Sequence, residues 1–214
     1  MKLAGDRLYF SATDLSGFLG CPHLTLLDRA VQVDGMAKPR KFDDPGIEVL
    51  RRRGEEHERA YLEGLRAEGR SVVEVPPPSP DLPYAEKWAT HADATLVAMR
   101  QGADVIFQAA LTDGTWVGRA DFLQRTDTPS DLGDWSYEVV DTKLAREAKG
   151  GALLQVLLYA ELLADVQGRA PAHVRIALGG PEAREAVFRV ADYAAYFRSV
   201  RERFLRHVGG SRGE

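Results

Sequence analysis

The 214-residue sequence contains a single cysteine, Cys21, and this scarcity excludes two kinds of site. One thiol cannot form a disulfide within the chain, and it cannot build a four-cysteine zinc or iron–sulfur site alone. The sequence also lacks an apolar run long enough to span a membrane, and Met1–Phe10 lacks the basic and then apolar segments of a secretory leader. We therefore expect a cytoplasmic protein with no membrane contact.

An excess of positive charge is absent as well, because the formal net charge is −4. A surface coated with lysine and arginine for nucleic acid is excluded, but a local basic track is not, since binding depends on where the charges lie. The chain does have 44% hydrophobic and 28% charged residues, a composition that supports a proper core and excludes a disordered chain. It shows no internal repeat and no second core.

The order of the periodic segments predicts an α/β domain with a mixed sheet flanked by helices. Long helices are predicted over Pro45 to about Glu68 and over Gly150 to Val166, and Asp192 is the predicted cap of a last helix. The predicted core strands are Val105–Leu111, Trp116–Leu123, Tyr137–Lys143, Val174–Leu178 and Ala186–Val190. We predict one domain over residues 1–208, mainly helical to about residue 102, with its core over about 103–208 and a flexible tail over 209–214.

The segment Tyr137–Lys143 is an apolar strand that ends in a carboxylate, a spacer and a lysine. Asp141 and Lys143 are two residues apart, so both side chains leave the same face of a strand. Such a pair forms a small, charge-balanced polar site that suits a hard metal ion and a phosphate. The alternative is an edge strand with an ordinary surface ion pair, and the pattern alone does not exclude it.

Other polar side chains occupy positions where an apolar residue is expected. His57 lies on the predicted inner face of the first long helix, with Ile47, Leu50, Tyr61 and Leu65. The alternative for His57 is a core histidine with a hydrogen-bond partner.

The same is true of Asp121, which interrupts an apolar strand, where a carboxylate is costly unless it is paired or binds a metal. Gln155 and Tyr159 are four apart on the second long helix, so their polar tips can reach one point. The alternative for that pair is an ordinary helix face with two satisfied polar groups.

Two aspartates on neighbouring strands, which lie roughly 4.8 Å apart, can both reach one cation. Hard oxygen ligands suit Mg²⁺ or Mn²⁺, and an added imidazole favours Mn²⁺. Zinc fits less well, because the sequence has no thiolate cluster and no close histidine pair.

The order and spacing of these segments resemble the RecB-like branch of the PD-(D/E)xK nuclease superfamily, from Ser11 to about Tyr159. The matching segments are Ser11–Leu15 with Cys21-Pro22, Gly54–His57, Gly118–Leu123, Glu138–Lys143 and Gln155–Tyr159. The resemblance implies a restriction-endonuclease-like fold with an N-terminal helical part. It also implies a metal-dependent nuclease that hydrolyses DNA phosphodiester bonds, as an exonuclease or flap-type cutter in DNA repair or recombination.

The resemblance also implies a role for each matched residue. Asp121, Asp141 and Lys143 would be catalytic, and Lys143 would position or activate water and offset charge on the scissile phosphate. The implied ligands of Mg²⁺ or Mn²⁺ are His57, Asp121, Asp141 and the backbone carbonyl of Thr142. The expected contacts with DNA, single-stranded or with free ends, are Gln155, Tyr159, Arg51, Arg52 and Lys149.

Several RecB-like relatives carry a four-cysteine iron–sulfur cluster, and Cys21 matches its first position. An iron–sulfur cluster cannot be built from this chain alone. Either the cluster is missing, or the chain is the nuclease portion of a longer protein with a helicase or a further domain, which is our expectation. Two other functions stay open: a catalytically idle nucleic-acid-binding module of a larger helicase–nuclease assembly, and a structural domain whose carboxylates form ordinary ion pairs.

Overall fold

The computed structural model describes residues 1–40, 44–180 and 184–210, and its elements begin with two short strands and three consecutive helices. The helices are α1 (Ala12–Gly20), α2 (Pro22–Val33), α3 (Pro45–Ala67), α4 (Tyr84–Arg100), α5 (Gly150–Gln167) and α6 (Val190–Gly209). The strands are β1 (Lys2–Ala4), β2 (Arg7–Tyr9), β3 (Val72–Glu74), β4 (Val105–Thr112), β5 (Val117–Thr126), β6 (Ser136–Lys143), β7 (His173–Leu178) and β8 (Arg184–Arg189). The predicted tail falls on residues 209–214, of which 211–214 lie outside the described ranges.

The main sheet has the strand order β3-β4-β5-β6-β7-β8 in the described residues. The β3–β4 and β6–β7 pairs are parallel, and the other neighbours are antiparallel. Parallel strands need a long crossover, and α5 supplies it between β6 and β7. The predicted mixed sheet flanked by helices is confirmed.

Helices cover both faces of the sheet because the apolar side chains of its strands alternate between two layers. On one face, the buried Leu62 and Leu65 of α3 pack against a small cluster that includes Phe122 and Val140. On the other face, α1, α4, α5 and α6 enclose the larger core, with Phe204 among its fully buried members. Each such side chain stabilises the fold by about 1.5–3 kcal/mol.

The N-terminal part of the chain is joined to the sheet rather than separate from it. Its strand β3 extends the main sheet, and Phe10, just after the small β1–β2 hairpin, accepts from Val117 of β5 at 2.8 Å. The hairpin was not predicted, because strands of three residues show too little periodicity. Pro22 lies in the first turn of α2, a position that suits proline because no helical hydrogen bond is lost there.

Two expectations about helices are wrong. The first half of α3 is not buried: Ile47 and Leu50 are 63% and 61% exposed, and the contacts of α3 with the sheet come from its second half. The last helix begins at Val190, so Asp192 lies in its first turn and does not cap it. None of the helices in the described ranges combines the length and the apolar character that crossing a membrane requires.

Candidate active site

The pairing of β5 with β6 stops just before the two predicted aspartates. Its last pair is Phe122 with Val140, and Asp121 and Asp141 follow on the two strands. The backbone N–H and the hydroxyl of Thr142 both donate to Oδ2 of Asp121, each at 2.8 Å. The Asp121 carboxylate therefore accepts a hydrogen bond from the backbone of β6 in place of a backbone carbonyl of β5. Asp121 and Asp141 lie where the pairing of these two strands ends.

Asp141 is fully buried and sits among the side chains that the sequence singled out. Its Oδ2 forms an ion pair with the ammonium of Lys143, and its Oδ1 accepts from Nε2 of Gln155 at 3.0 Å. The same Nε2 donates to the hydroxyl of Tyr159 at 3.2 Å. The structure thus brings together Asp141, Lys143, Gln155 and Tyr159, with Asp121 on the neighbouring strand.

The carboxylates of this cluster repel one another in a poorly hydrated place. Burial raises the pKa of Asp141 to about 7; the charges of Asp121 and Glu58 act in the same direction, and Lys143 opposes them. Burial and then the charge of Asp141 raise the pKa of the Tyr159 phenol above its usual range. One ammonium therefore offsets only part of the negative charge.

Glu58 belongs to this cluster, although we did not predict it. Burial raises its pKa, and Asp121 is the next cause, so the two carboxylates are neighbours. The amide of Gln108 donates to its Oε1. A signal was present: Glu58 precedes the buried Leu62 by four residues and Leu65 by seven, so it shares their helix face.

The backbone conformation of Gln108 differs from that of its neighbours in β4. This residue has a φ of 58°, and it is the one residue with positive φ in the described part of the chain that is not a glycine. In the β4–β5 ladder, Phe107 pairs with Phe122 and Ala109 with Ala120, so Gln108 stands across from Asp121 at the position the pairing omits. Such a conformation inside a strand costs about 1–3 kcal/mol and is typical of functional sites.

His57 lies near the end of β6 but not in the same cavity as Asp121. Its Nε2–H donates to the carbonyl of Ala177 at 3.3 Å, and Ala177 pairs with Thr142 in the β6–β7 ladder. A carbonyl only accepts, so the lone pair of the neutral ring stands on Nδ1. The ring lines a cavity of about 400 Å³ together with Tyr61.

Within residues 1–40, 44–180 and 184–210, no three histidine, cysteine, aspartate or glutamate side chains are arranged as a ready coordination site. Oxygens of Asp121, Asp141 and Glu58 are instead turned to Thr142, Lys143 and Gln108. The ligand set of His57, Asp121, Asp141 and the Thr142 carbonyl stays a prediction.

The donor chemistry nevertheless fits a hard divalent cation. The charges of Asp121 and Glu58 raise the pKa of Asp141, and this repulsion is relieved when a cation binds among the carboxylates. The hydrogen bond from His57 to a carbonyl is also what a metal-binding histidine makes with its other nitrogen.

A cleft of about 580 Å³ reaches two of these carboxylates, Glu58 and Asp121. Together with Gln155 they line one side, and the α4 residues Trp88 and His91 line the other. A second cavity of about 460 Å³ shares Glu58, Gln108 and Arg119 with the cleft, and its further lining includes the arginines and glutamates Arg52, Arg59, Glu55 and Glu56. The site is therefore reached from an aromatic side and from a side where both charges are present.

The predicted DNA-contacting cations differ in their surroundings. Arg51 is held between Glu48 and Glu55 on the exposed half of α3, so its charge is offset within the helix. Arg52 lines the second cavity, with its Nε 3.8 Å from Oε1 of Glu56. Lys149 is exposed at the cap position before α5.

Cys21, the predicted first position of a cluster, is a free and half-buried thiol between α1 and α2. No second cysteine exists in the sequence to join it.

Gly118 permits the closest contact in the site. A Cβ at this position would lie 2.2 Å from an edge carbon of the Tyr159 ring, far inside contact distance. The ring therefore lies directly on the backbone of β5, which fixes the hydroxyl that receives the Gln155 hydrogen bond.

No protein-family model matches the sequence, and no curated protein matches it either. The interpretation of function therefore relies on the residues of the site themselves.

Proposed function

We propose that this chain is a metal-dependent nuclease of the RecB-like PD-(D/E)xK type, with a restriction-endonuclease-like fold, that hydrolyses phosphodiester bonds of DNA. The observation that carries the proposal is the cluster at the opening of the β5–β6 ladder, where the charges of Asp121 and Glu58 act on the buried Asp141, which pairs with Lys143. A structural ion pair needs one carboxylate and one cation, and here two further carboxylates lie close enough to raise the pKa of the paired one. Such an excess of carboxylates favours a cation-binding site.

The residues that would hold Mg²⁺ or Mn²⁺ are Asp121, Asp141, the Thr142 carbonyl and His57, with Glu58 added by its position next to Asp121. When bound, such an ion supplies positive charge to a phosphate oxygen and lowers the pKa of a water. Exonuclease or flap-type cutting in DNA repair or recombination remains the expected context, with a helicase or a further domain as partner.

The chain's own side chains have separable tasks. The side chain of Lys143 is 33% exposed while that of Asp141 is fully buried, so the ammonium can meet a phosphate that arrives from solvent. There it stabilises the negative charge that grows on the phosphate during attack. Gln155 holds Asp141, and Thr142 holds Asp121, so both carboxylates are fixed before a substrate arrives.

A second candidate is the catalytically idle nucleic-acid-binding module of a larger assembly. One observation favours it: the described residues hold no ready three-ligand coordination site. Such a module would use the same cleft and the arginines beside it to bind nucleic acid without cutting. Binding without cleavage in Mn²⁺ separates the two candidates.

The decisive experiment measures cleavage of end-labelled single-stranded DNA in Mn²⁺, Mg²⁺ or EDTA. We expect products with either metal, none in EDTA, and a loss of about a thousand-fold in Asp141→Asn. Glu138→Gln is the matched control, because Glu138 is a buried carboxylate of the same strand that pairs with Arg175 instead. Equal products from wild type and Asp141→Asn, or products in EDTA, would contradict the proposal.

A further inference from the structure

Building on the proposed function, we propose that the α4 wall of the cleft is a subsite for one unpaired nucleobase of the DNA strand. The wall consists of Tyr84, Trp88 and His91, and it faces the same space as Asp121. A strand whose phosphate reaches the carboxylates can therefore place a neighbouring base against α4. The cleft volume of about 580 Å³ lies within the range of about 300–1,000 Å³ that small-ligand sites occupy.

His91 supplies the strongest indication of a ligand. It lines the cleft, only 6% of it is exposed, and its Nε2 has no hydrogen-bond partner in the described part of the chain. Buried polar atoms are almost always hydrogen-bonded, so a solitary ring nitrogen in a cleft wall calls for a partner from outside the chain. Burial, and next the charge of Arg119, lower the pKa of His91, so its ring is neutral and can pair with the polar edge of a base.

Trp88 and Tyr84 supply the aromatic surface. Both side chains are half-buried, and their rings pack edge to face with their centroids 6.4 Å apart. Tyr84 is held in turn by Tyr9, at 5.2 Å, so the surface is fixed in place before a ligand binds. Bases stack on such rings with little regard to their identity, because every base has a π-face.

The same geometry favours a single strand over a duplex. In a duplex, both faces of a base are covered by its neighbours and its pairing edge is engaged. A base that stacks on Trp88 while its edge meets His91 must be free of both. Lys87 on the same wall is placed for the phosphates on either side of that base.

The test measures binding in EDTA, where turnover is absent, to a fluorescein-labelled ten-nucleotide single strand. One series of probes carries a single abasic residue, moved along the strand, and a duplex of equal length is included. We expect wild type to bind the single strand at least ten-fold more tightly than the duplex. We also expect one abasic position to weaken binding several-fold. Wild type that binds no single strand, or that ignores the abasic residue everywhere, overturns the subsite.

Two variants assign the effect to the wall. Trp88→Leu should weaken binding of the intact strand about ten-fold and should abolish the penalty of the abasic residue. His91→Phe keeps a ring but removes both nitrogens, so it should weaken binding of the intact strand and not of the abasic one. Trp135→Phe is the control, because Trp135 is outside the cleft lining and donates to the carbonyl of Met99. Equal losses in Trp88→Leu and Trp135→Phe overturn the assignment.

A substrate without a base separates this subsite from the proposed nuclease activity. A strand of abasic deoxyribose phosphates presents phosphodiesters and no aromatic ring, so Trp88→Leu should lose less of its cleavage rate on this strand than on the intact DNA in Mn²⁺. Cleavage of DNA without any effect of the abasic residue removes the subsite and leaves the nuclease. An abasic penalty in binding without cleavage by wild type removes the nuclease and leaves the subsite.

Discussion

Two buried carboxylates lie three residues apart on β6, and the strand sends them to opposite faces of the sheet. Glu138 is 5% exposed and pairs with Arg175 at 3.0 Å, while the backbone N–H of His173 donates to it at 3.0 Å. Asp141 is fully buried, and its cation is a lysine that is one-third exposed. Burial is the main cause of the raised pKa of Asp141, and the charges of the neighbouring Asp121 and Glu58 raise it further.

The comparison shows how a structural ion pair differs from a candidate site on one strand. Glu138 meets a guanidinium on the neighbouring strand, so its charge is matched where it lies. Asp141 lies near the negative charges of Asp121 and Glu58, which Lys143 offsets only in part. This imbalance lowers the free energy of unfolding unless a cation binds. That residual negative charge attracts a metal ion, and a bound metal ion would in turn attract a phosphate.

Replacing the cation that pairs with each carboxylate should have the largest effect, and it should distinguish Asp141 from Glu138. Lys143→Met should lower the rate of DNA cleavage about a hundred- to a thousand-fold, or roughly 3–4 kcal/mol of transition-state stabilisation, and should also lower stability because Asp141 loses its cation. Arg175→Met should leave Glu138 buried without its partner and lower the free energy of unfolding by roughly 2 kcal/mol. Cleavage kinetics and urea unfolding measure the two quantities.

The control for this pair is the activity of Arg175→Met per folded molecule, which should stay within a few-fold of wild type. The comparison fails if Lys143→Met, per folded molecule, cleaves DNA as fast as Arg175→Met does, because Lys143 would then be only a structural partner of Asp141.

The pH dependence of stability should show a smaller difference between Asp141 and Glu138. The folded pKa of Asp141, about 7, lies above the ordinary value of about 4, so the folded state binds the extra proton between these values. Stability therefore falls as pH rises from about 4 to about 7. Asp141→Asn should stabilise the fold by about 2 kcal/mol at pH 8 and by little at pH 4. Glu138→Gln should destabilise it at pH 8.

Denaturant unfolding at the two pH values measures this effect, and Mn²⁺ provides the internal check. The ion should raise the melting temperature of wild type at pH 8 and should not raise that of Asp141→Asn. A gain in Asp141→Asn that is the same at pH 4 and pH 8 would show that Asp141 carries no uncompensated charge.

The sequence was sufficient for the parts of the site that rest on local periodicity. Asp141 with Lys143 follows the two-residue period of a strand, and Gln155 with Tyr159 follows the helical one. The exposed half of α3 was mistaken for a buried stripe, because a pattern shows which residues share a face and not whether anything covers it.

Glu58 and Gln108 could not be paired from the sequence, because the contact between them joins residues fifty positions apart. The position of Glu58 on the buried helix face was readable from Leu62. The backbone of Gln108 was not, since no glycine or asparagine marks a positive φ there.

Gln108 gives the smallest predicted effect, on the Asp141 side of the comparison. Gln108→Ala and Gln108→Gly both remove the amide that holds Glu58, but only glycine tolerates a φ of 58° without strain. In an ordinary strand alanine is the more stable of the two by about 0.5–1 kcal/mol. Here the order should reverse, with Gln108→Gly more stable than Gln108→Ala by about 1 kcal/mol in urea unfolding. Both variants should cleave DNA more slowly than wild type, because Glu58 is freed. If Gln108→Ala is instead the more stable variant, the backbone at Gln108 is not strained. Charge repulsion around Asp141 would then not be accompanied by backbone strain in β4.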